Sequence, residues 1–567
     1  MTTREIELEI GGMTCEACVL HVREALEAVA GSTSAEVSLE EERAVVRTSG
    51  GRGPEAFIRA VEAAGYAARP SKPAGAKTLE PDGPAGQSVD EAARDDGGAP
   101  RLLVVGGGSA GFAAAIRAAE LGARVTLVER GVMGGTCVNR GCVPSKTLLR
   151  AAEVGHLRTH HPFAGIPAGN GAVDLGALVD QKRELVERLR AMKYRDVLAA
   201  YPSAEYLQGE ARFTDPGEIE VTVSSGGKRV FPADRVVLAT GARPWIPDVA
   251  GLDALDSKRL WTNEEALESR EVPERLLVAG AGPVGLELAQ LFSRLGSRVT
   301  VAALELQPGA DREMAAAQAE CLRAEGVEVV AGARLARVEE TDARNVAVAQ
   351  VDGEERAFPF DRLLMALGRT ANTDRLGVEA AGLETAGRGF LEVDDGLATA
   401  VPGVHAAGDC TTLPQFVYVA ARAGTLAAEN ALGGHRRLDP SSMPAVVFTD
   451  PQLAWVGLTE EEARERGEEV AVRTLSMEHV PRALANRDTR GRIKIVAAAD
   501  GGRILGVHVL APHAGEVIQT AVLAVRHGLT VDDLIDTLFP YLTEVEGLKL
   551  AAQTFGKDVS RLSCCAG

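Results

Sequence analysis

The sequence predicts an α/β protein with two doubly wound, Rossmann-like dinucleotide-binding units. An α+β segment follows them, and a small ferredoxin-like β-α-β-β-α-β unit precedes them. Two observations carry this. A buried-type strand, a G-x-G-x-x-G loop, an amphipathic helix and a second strand occur once at 101–129 and again at 276–301. Ahead of them, residues 4–69 alternate between the twofold period of strands and the helical period, with a glycine pair at the first turn.

At 567 residues the chain exceeds a single hydrophobic core, and 46% hydrophobic with 25% charged residues is ordinary for a water-soluble globular protein. A formal net charge of −19 repels phosphate backbones and argues against a nucleic-acid partner. The N-terminus lacks the basic and then apolar run of a signal peptide, and no apolar stretch is long enough to span a bilayer, so a cytoplasmic location is expected. Thiols stay reduced there, which makes paired cysteines catalytic or metal-binding before structural.

In the first unit, Ile6, Leu8 and Ile10 mark a strand. Val19, Val22, Leu26 and Val29 give a helix its apolar face, strands fall at 34–39 and 44–48, a helix begins near Pro54, and a short strand closes at 66–69. Residues 71–100 are rich in Gly, Pro, Ala, Asp and Ser and read as a flexible linker.

In the first glycine loop, Gly106 permits the tight turn, Gly108 lets a pyrophosphate approach the backbone, and Gly111 lets helix pack on strand. Glu129, at the end of the next strand, stands where an acid accepts hydrogen bonds from an adenosine ribose. Gly280, Gly282 and Gly285 repeat the pattern. No acid follows in the matching place; Glu305 comes one or two residues late, and no arginine stands where a 2′-phosphate wants one. NADPH against NADH is open from this local chemistry.

Six of the eight cysteines form close pairs: Cys15/Cys18, Cys137/Cys142 and Cys564/Cys565. Cys137 and Cys142 lie at the start of a helical stretch with Lys146 close by, so dipole and ammonium favour the thiolate. Cys15 and Cys18 have the spacing of a soft-ion site, or of a thioredoxin-like redox site, and the β-α-β-β-α-β frame favours the metal. A vicinal disulfide is strained, so Cys564/Cys565 suits chelation of a soft metal better than a cross-link. Cys321 reads as a buried small hydrophobe and Cys410 has no assigned role.

The segment Gly134-Gly-Thr136-Cys137-Val-Asn-Arg-Gly-Cys142-Val-Pro-Ser-Lys146 closely resembles the redox disulfide of the flavin-dependent pyridine nucleotide–disulfide oxidoreductase family. The resemblance extends through Ala239-Thr240-Gly241, Val404-His-Ala-Ala-Gly408-Asp409 and Glu287 to essentially all of 101–567. It implies FAD, with Cys142 against the flavin, Cys137 exchanging with substrate, Asp409 on the ribityl and pyrophosphate region, and Glu287 paired with Lys146. It also implies a homodimer. The implied division is flavin binding by 101–245 with 370–439, nicotinamide binding by 246–369, and dimerisation by 440–567, after a metal domain at 1–70. NADPH is the expected donor, with NADH the alternative.

Relatives in this family that reduce disulfides carry an acid–base histidine in a His-Pro-x-x-x-Glu segment, and here that place is Phe539-Pro540-Tyr541-Leu-Thr-Glu544. This stretch, the Cys564/Cys565 ending and Met192-Lys-Tyr194 resemble the mercury(II)-reducing branch of the family. That implies Hg(II) as substrate, free or thiol-bound, with Tyr194 and Tyr541 as hydroxyls near it and Cys564/Cys565 reaching the neighbouring subunit's site. Gly12-Met13-Thr14-Cys15-Glu-Ala-Cys18 is similarly the loop of heavy-metal-associated domains, whose partner would be a membrane mercury transporter. A disulfide reductase with an appended metal domain is disfavoured by Phe539, and a purely sequestering protein leaves both nucleotide loops unused.

Overall fold

The computed structural model describes residues 4–11, 19, 22–23, 26, 29, 32–38, 43–48, 54–63, 66–70, 98–169, 173–340 and 345–562. The chain divides into two compact units, Met1–Asp90 and Glu91–Gly567. The expected linker lies almost wholly outside the described residues.

In the smaller unit the strand Arg4–Gly11 is central in a four-stranded sheet. It pairs antiparallel with Arg43–Thr48 on one side and Ala67–Pro70 on the other, and Ser32–Ser38 lies at the far edge. Ile6, Leu8 and Ile10 face one way because strand side chains alternate, and they bury against Val19, Val22, Leu26, Phe57 and Val61. This is the ferredoxin-like arrangement read from the sequence.

The larger unit contains three main sheets. The first has seven strands in the order Val404–Ala406, Val236–Leu238, Arg101–Val105, Arg124–Glu129, Ala204–Asp215, Glu218–Val223 and Lys228–Pro232. Its central strands are parallel and apolar on both faces, as a sheet covered on both sides requires. The helix Ser109–Glu120 is largely alanine, the best helix former, and packs closely against Val417–Ala431. A Cβ on Gly424 would lie 2.0 Å from the carbonyl oxygen of Ala110, so glycine there sets the approach.

The second sheet runs Leu260–Trp261, Arg362–Met365, Arg275–Ala281, Arg298–Leu306 and Glu328–Val330, all parallel. The third is antiparallel, Ala445–Val447, Gln452–Gly457, Ile504–Ala511, Arg492–Ala498 and Val470–Ser476, with Ala514–Arg526 and Glu546–Gln553 packed on it. The fold is therefore the α/β and α+β combination expected. No described helix is long and apolar enough to cross a membrane.

Candidate active site

A cavity of about 1340 Å³ opens where the first two sheets meet. It exceeds the roughly 300–1,000 Å³ of a single small-molecule pocket. Both glycine loops open into it: Gly106, Gly108, Gly280 and Gly282 line its wall. Gly106 (φ +112°) and Gly280 (φ +110°) adopt backbone that favours glycine, and a Cβ on either would strike the carbonyl of Ala239 or Ala366. Gly111 and Gly285 stay behind the wall, where each lets its helix touch the loop backbone.

Glu129 lines the same cavity and accepts from the amides of Gly107 and Gly131, each at 2.6 Å. The glycine loop is thereby tied to the end of the neighbouring strand. Thr240, Gly241 and Asp409 line the cavity from the strand ends Val236–Leu238 and Val404–Ala406. Burial pushes the Asp409 carboxyl up, and Arg369, 3.8 Å away, partly offsets this.

Cys137 lies within the short helix Gly135–Arg140, and Cys142 is the first residue of Cys142–Leu157. Pro144 is harmless in that first turn because its missing N–H would have had no intrahelical partner. Both are free thiols, half-buried, on the cavity wall. The two sulfurs divide their roles. Cys142 is pushed down to about 7, first by the hydrogen bond from Cys137 and then by Lys146, against the cost of burial. Cys137 moves the opposite way, because its proton is held by the Cys142 sulfur and burial adds to the effect. The sequence suggests thiolate character for both; the structure favours it at Cys142, which accepts the hydrogen bond from Cys137.

Lys146 Nζ donates to Glu287 Oε2 over 2.7 Å and lies 4.7 Å from the centre of the Phe448 ring. Glu287 is buried, and its other oxygen accepts from the Phe448 amide at 3.0 Å. Tyr194 sits on a π-helical turn, Ala191–Arg195, with its ring 4.8 Å from that of Phe112. Burial raises its hydroxyl pKa; the hydrogen bond with Ser109 opposes this, and the charges of Cys137 and Cys142 add to it.

Tyr541 is exposed and does not line this cavity. Phe539 packs against the core of the third sheet, and Glu544 binds the amide and Nδ1 of His513, both at 3.0 Å. Cys15, Cys18, Cys564 and Cys565 lie outside the described residues. Among the described residues no cluster of three or more His, Cys, Asp or Glu could hold a metal ion. Cys410 is fully buried, its thiol donating to the carbonyls of Leu238 and Ala407, and Cys321 packs in part beside Met314.

Sequence reasoning missed Phe416, Tyr418, Phe448 and Arg369, all of which line the cavity. Tyr418 donates to the carbonyl of Pro444, and burial, followed by the charge of Cys142, raises its pKa. An aromatic pair two apart at a helix start was the only signal available.

Residues 100–424 match the family described as pyridine nucleotide-disulphide oxidoreductase. Residues 443–552 match its dimerisation domain, and 7–67 match the heavy-metal-associated domain. The mercuric reductase of Acidithiobacillus ferrooxidans is 47% identical over 99% of both chains. The chain belongs to the mercuric reductase family, within the pyridine nucleotide-disulphide oxidoreductases. The family's mercuric reductase from Shigella flexneri is 46% identical over 99% of this chain and 100% of its own. Among solved structures, the HOCl-induced flavoprotein disulfide reductase RclA from Escherichia coli superposes with a TM-score of 0.70 at 29% identity, covering 81% of this chain and 100% of its own.

The cavity suits the FAD and NAD(P)H of this family. The helices Ser109–Glu120 and Pro283–Arg294 both begin at a glycine, with no side-chain cap and no acid in the first turn but one wall of the cavity before them. Uncapped amides at a helix start bind phosphate. A Cβ on Gly282 or Gly241 would meet nothing within 4 Å, so open space lies over both.

Proposed function

We propose that this chain reduces Hg(II) to Hg(0) with NAD(P)H, through FAD and the pair Cys137/Cys142. The observation that carries the reading is the pair of free thiols Cys137 and Cys142, with Lys146, on the wall that both glycine loops line. A thiolate near neutral pH beside a second thiol is suited to capture a thiophilic divalent ion.

The first glycine loop, Glu129, Thr136, Thr240, Gly241 and Asp409 would hold FAD, and Gly280, Gly282 and Gly285 serve the nicotinamide nucleotide. We assign 101–245 with 370–439 to the flavin, 246–369 to the nicotinamide and 440–567 to the subunit contact. When bound, the two cofactors supply the electron pair.

The protein's part is to hold the ion and manage protons. Cys142 binds Hg(II) as thiolate, and Cys137 loses its proton as the second Hg–S bond forms. Two electrons reduce the ion, both Hg–S bonds break, and Cys137 recovers its proton while Cys142 returns to thiolate as Hg(0) leaves. The sum is NAD(P)H + Hg(II) → NAD(P)⁺ + H⁺ + Hg(0). Lys146, held by Glu287, keeps positive charge beside the pair. Tyr194 and Tyr541 are assigned to the ion's approach and Cys564/Cys565 to its delivery. Cys15/Cys18 serve as an outer carrier, which a membrane transporter would load in the cytoplasm.

Cys137→Ala and Cys142→Ala test this directly. Each is expected to abolish Hg(II)-dependent NAD(P)H oxidation in excess thiol while the protein stays yellow. Near-normal turnover in either variant sinks the mechanism.

A further inference from the structure

The second nucleotide unit carries its acid in an unusual place. In the first unit Glu129 directly follows Val128, whose carbonyl accepts from Gly106, so the acid flanks the first glycine of the loop. The equivalent of Glu129 in the second unit is Ala303, which is buried. The strands Arg275–Ala281 and Arg298–Leu306 then fall out of register: Ala279 pairs with Ala302, but Ala281 pairs with Leu306. Gly280 alone therefore stands opposite Ala303, Leu304 and Glu305. The irregularity takes up the two-residue lag, so that Glu305 falls at the end of the stretch opposite the first glycine.

Glu305 lines the cavity there, exposed, and among the described residues no hydrogen bond or ion pair engages its carboxylate. Glu129, by contrast, is already bound by two amides. Leu304 beside it is 59% exposed. None of the described residues that 280–308 and 365–368 contribute to the cavity is Arg, Lys or His. A 2′-phosphate placed here meets a carboxylate and a leucine, whereas a ribose 2′-hydroxyl meets a free acceptor.

We infer that Glu305 is the ribose-binding acid of the second unit and that this chain selects NADH over NADPH. The inference rests on the assignment of 280–285 to the nicotinamide nucleotide. A hydroxyl-to-carboxylate bond gained in one ligand and a repulsion met in the other correspond to about tenfold or greater discrimination.

The test is equilibrium binding to the flavin-loaded protein without mercury, by calorimetry with NAD⁺ and NADP⁺, and with AMP and adenosine 2′,5′-bisphosphate as nicotinamide-free probes. Wild-type protein should bind NAD⁺ and AMP about tenfold more tightly than their 2′-phosphorylated counterparts. Glu305→Gln should weaken NAD⁺ alone, and Leu304→Arg combined with Glu305→Gln should reverse the order. Equal or tighter binding of NADP⁺ by the wild type overturns the inference, as does unchanged NAD⁺ affinity in Glu305→Gln. Neither result bears on mercury reduction. Conversely, a protein that prefers NAD⁺ but cannot oxidise NADH with Hg(II) refutes the proposed reaction and leaves this selection standing.

Discussion

Lys146 and Glu287 meet at 2.7 Å, one from the helix that Cys142 begins and the other from the helix that the second glycine loop begins. The contact ties the cysteine pair to the second glycine loop's side of the cavity through a buried carboxylate. It also places two opposite charges within reach of one sulfur: Lys146 lowers the Cys142 pKa and Glu287 raises it.

The two charges give predictions of opposite sign. Cys142 is held at about 7, below the ordinary range of a free thiol, so its thiolate grows in as pH rises through about 7. Lys146→Met should move that midpoint up and Glu287→Gln should move it down. Iodoacetamide trapping of Cys142 in the reduced protein, followed against pH, measures both. Shifts of the same sign would show that the pair acts through packing rather than charge.

The glycine loops should fail separately. A Cβ at Gly111 would lie 1.8 Å from the carbonyl oxygen of Gly106, and one at Gly285 would lie 2.1 Å from that of Gly280. Backbone cannot yield to that extent without moving the loop. Gly111→Ala should therefore purify colourless, whereas Gly285→Ala should keep its flavin and lose rapid flavin reduction by NAD(P)H. A yellow Gly111→Ala protein with wild-type spectra would contradict the loop geometry.

Local chemistry was legible in the sequence and long-range chemistry was not. The glycine loops and the Cys137/Cys142 segment could be read because a turn, a helix start and a thiol pair are each specified within a dozen residues. Arg369, Tyr418 and Phe448 lie more than two hundred residues beyond Cys142, and no local pattern marks them. The lag of Glu305 was visible, but the register shift that absorbs it depends on how two strands pair. The unequal roles of Cys137 and Cys142 likewise depend on which sulfur accepts the hydrogen bond between them.

A cluster of charges joins the second and third sheets, and its loss should be costly. Arg294, only 4% exposed in its side chain, bonds Glu325 and Asp450, and Arg490 bonds the same two acids. Asp450→Ala leaves two arginines facing Glu325 alone, with Asp488 remaining to Arg490. Partial exposure of Asp450 discounts the penalty for a broken buried pair to about 1–3 kcal/mol. Urea unfolding of the flavin-loaded protein measures it, and a loss below about 0.5 kcal/mol, the range of ordinary surface changes, would show that water already screens the cluster.

The route of mercury into the cavity can be decided with mixed dimers. Two thiolates near a C-terminus can take Hg(II) from external thiols and pass it to Cys137/Cys142 by ligand exchange, either within one chain or across a subunit contact. A protein with Cys564→Ala and Cys565→Ala should fail mainly with Hg(II) presented as a bulky dithiol complex, and should keep turnover with Hg(II) as a bromide complex. The subunit question needs one chain carrying Cys137→Ala and a partner carrying Cys564→Ala with Cys565→Ala. If the ending serves the neighbouring subunit, the intact Cys137/Cys142 of the second chain receives the intact ending of the first, and one working site remains. If it serves its own chain, neither site is complete. We expect about half the wild-type turnover with the bulky complex, since one of two sites survives. An inactive mixed dimer, with flavin bound in both chains and each parent folded, would assign the ending to its own subunit.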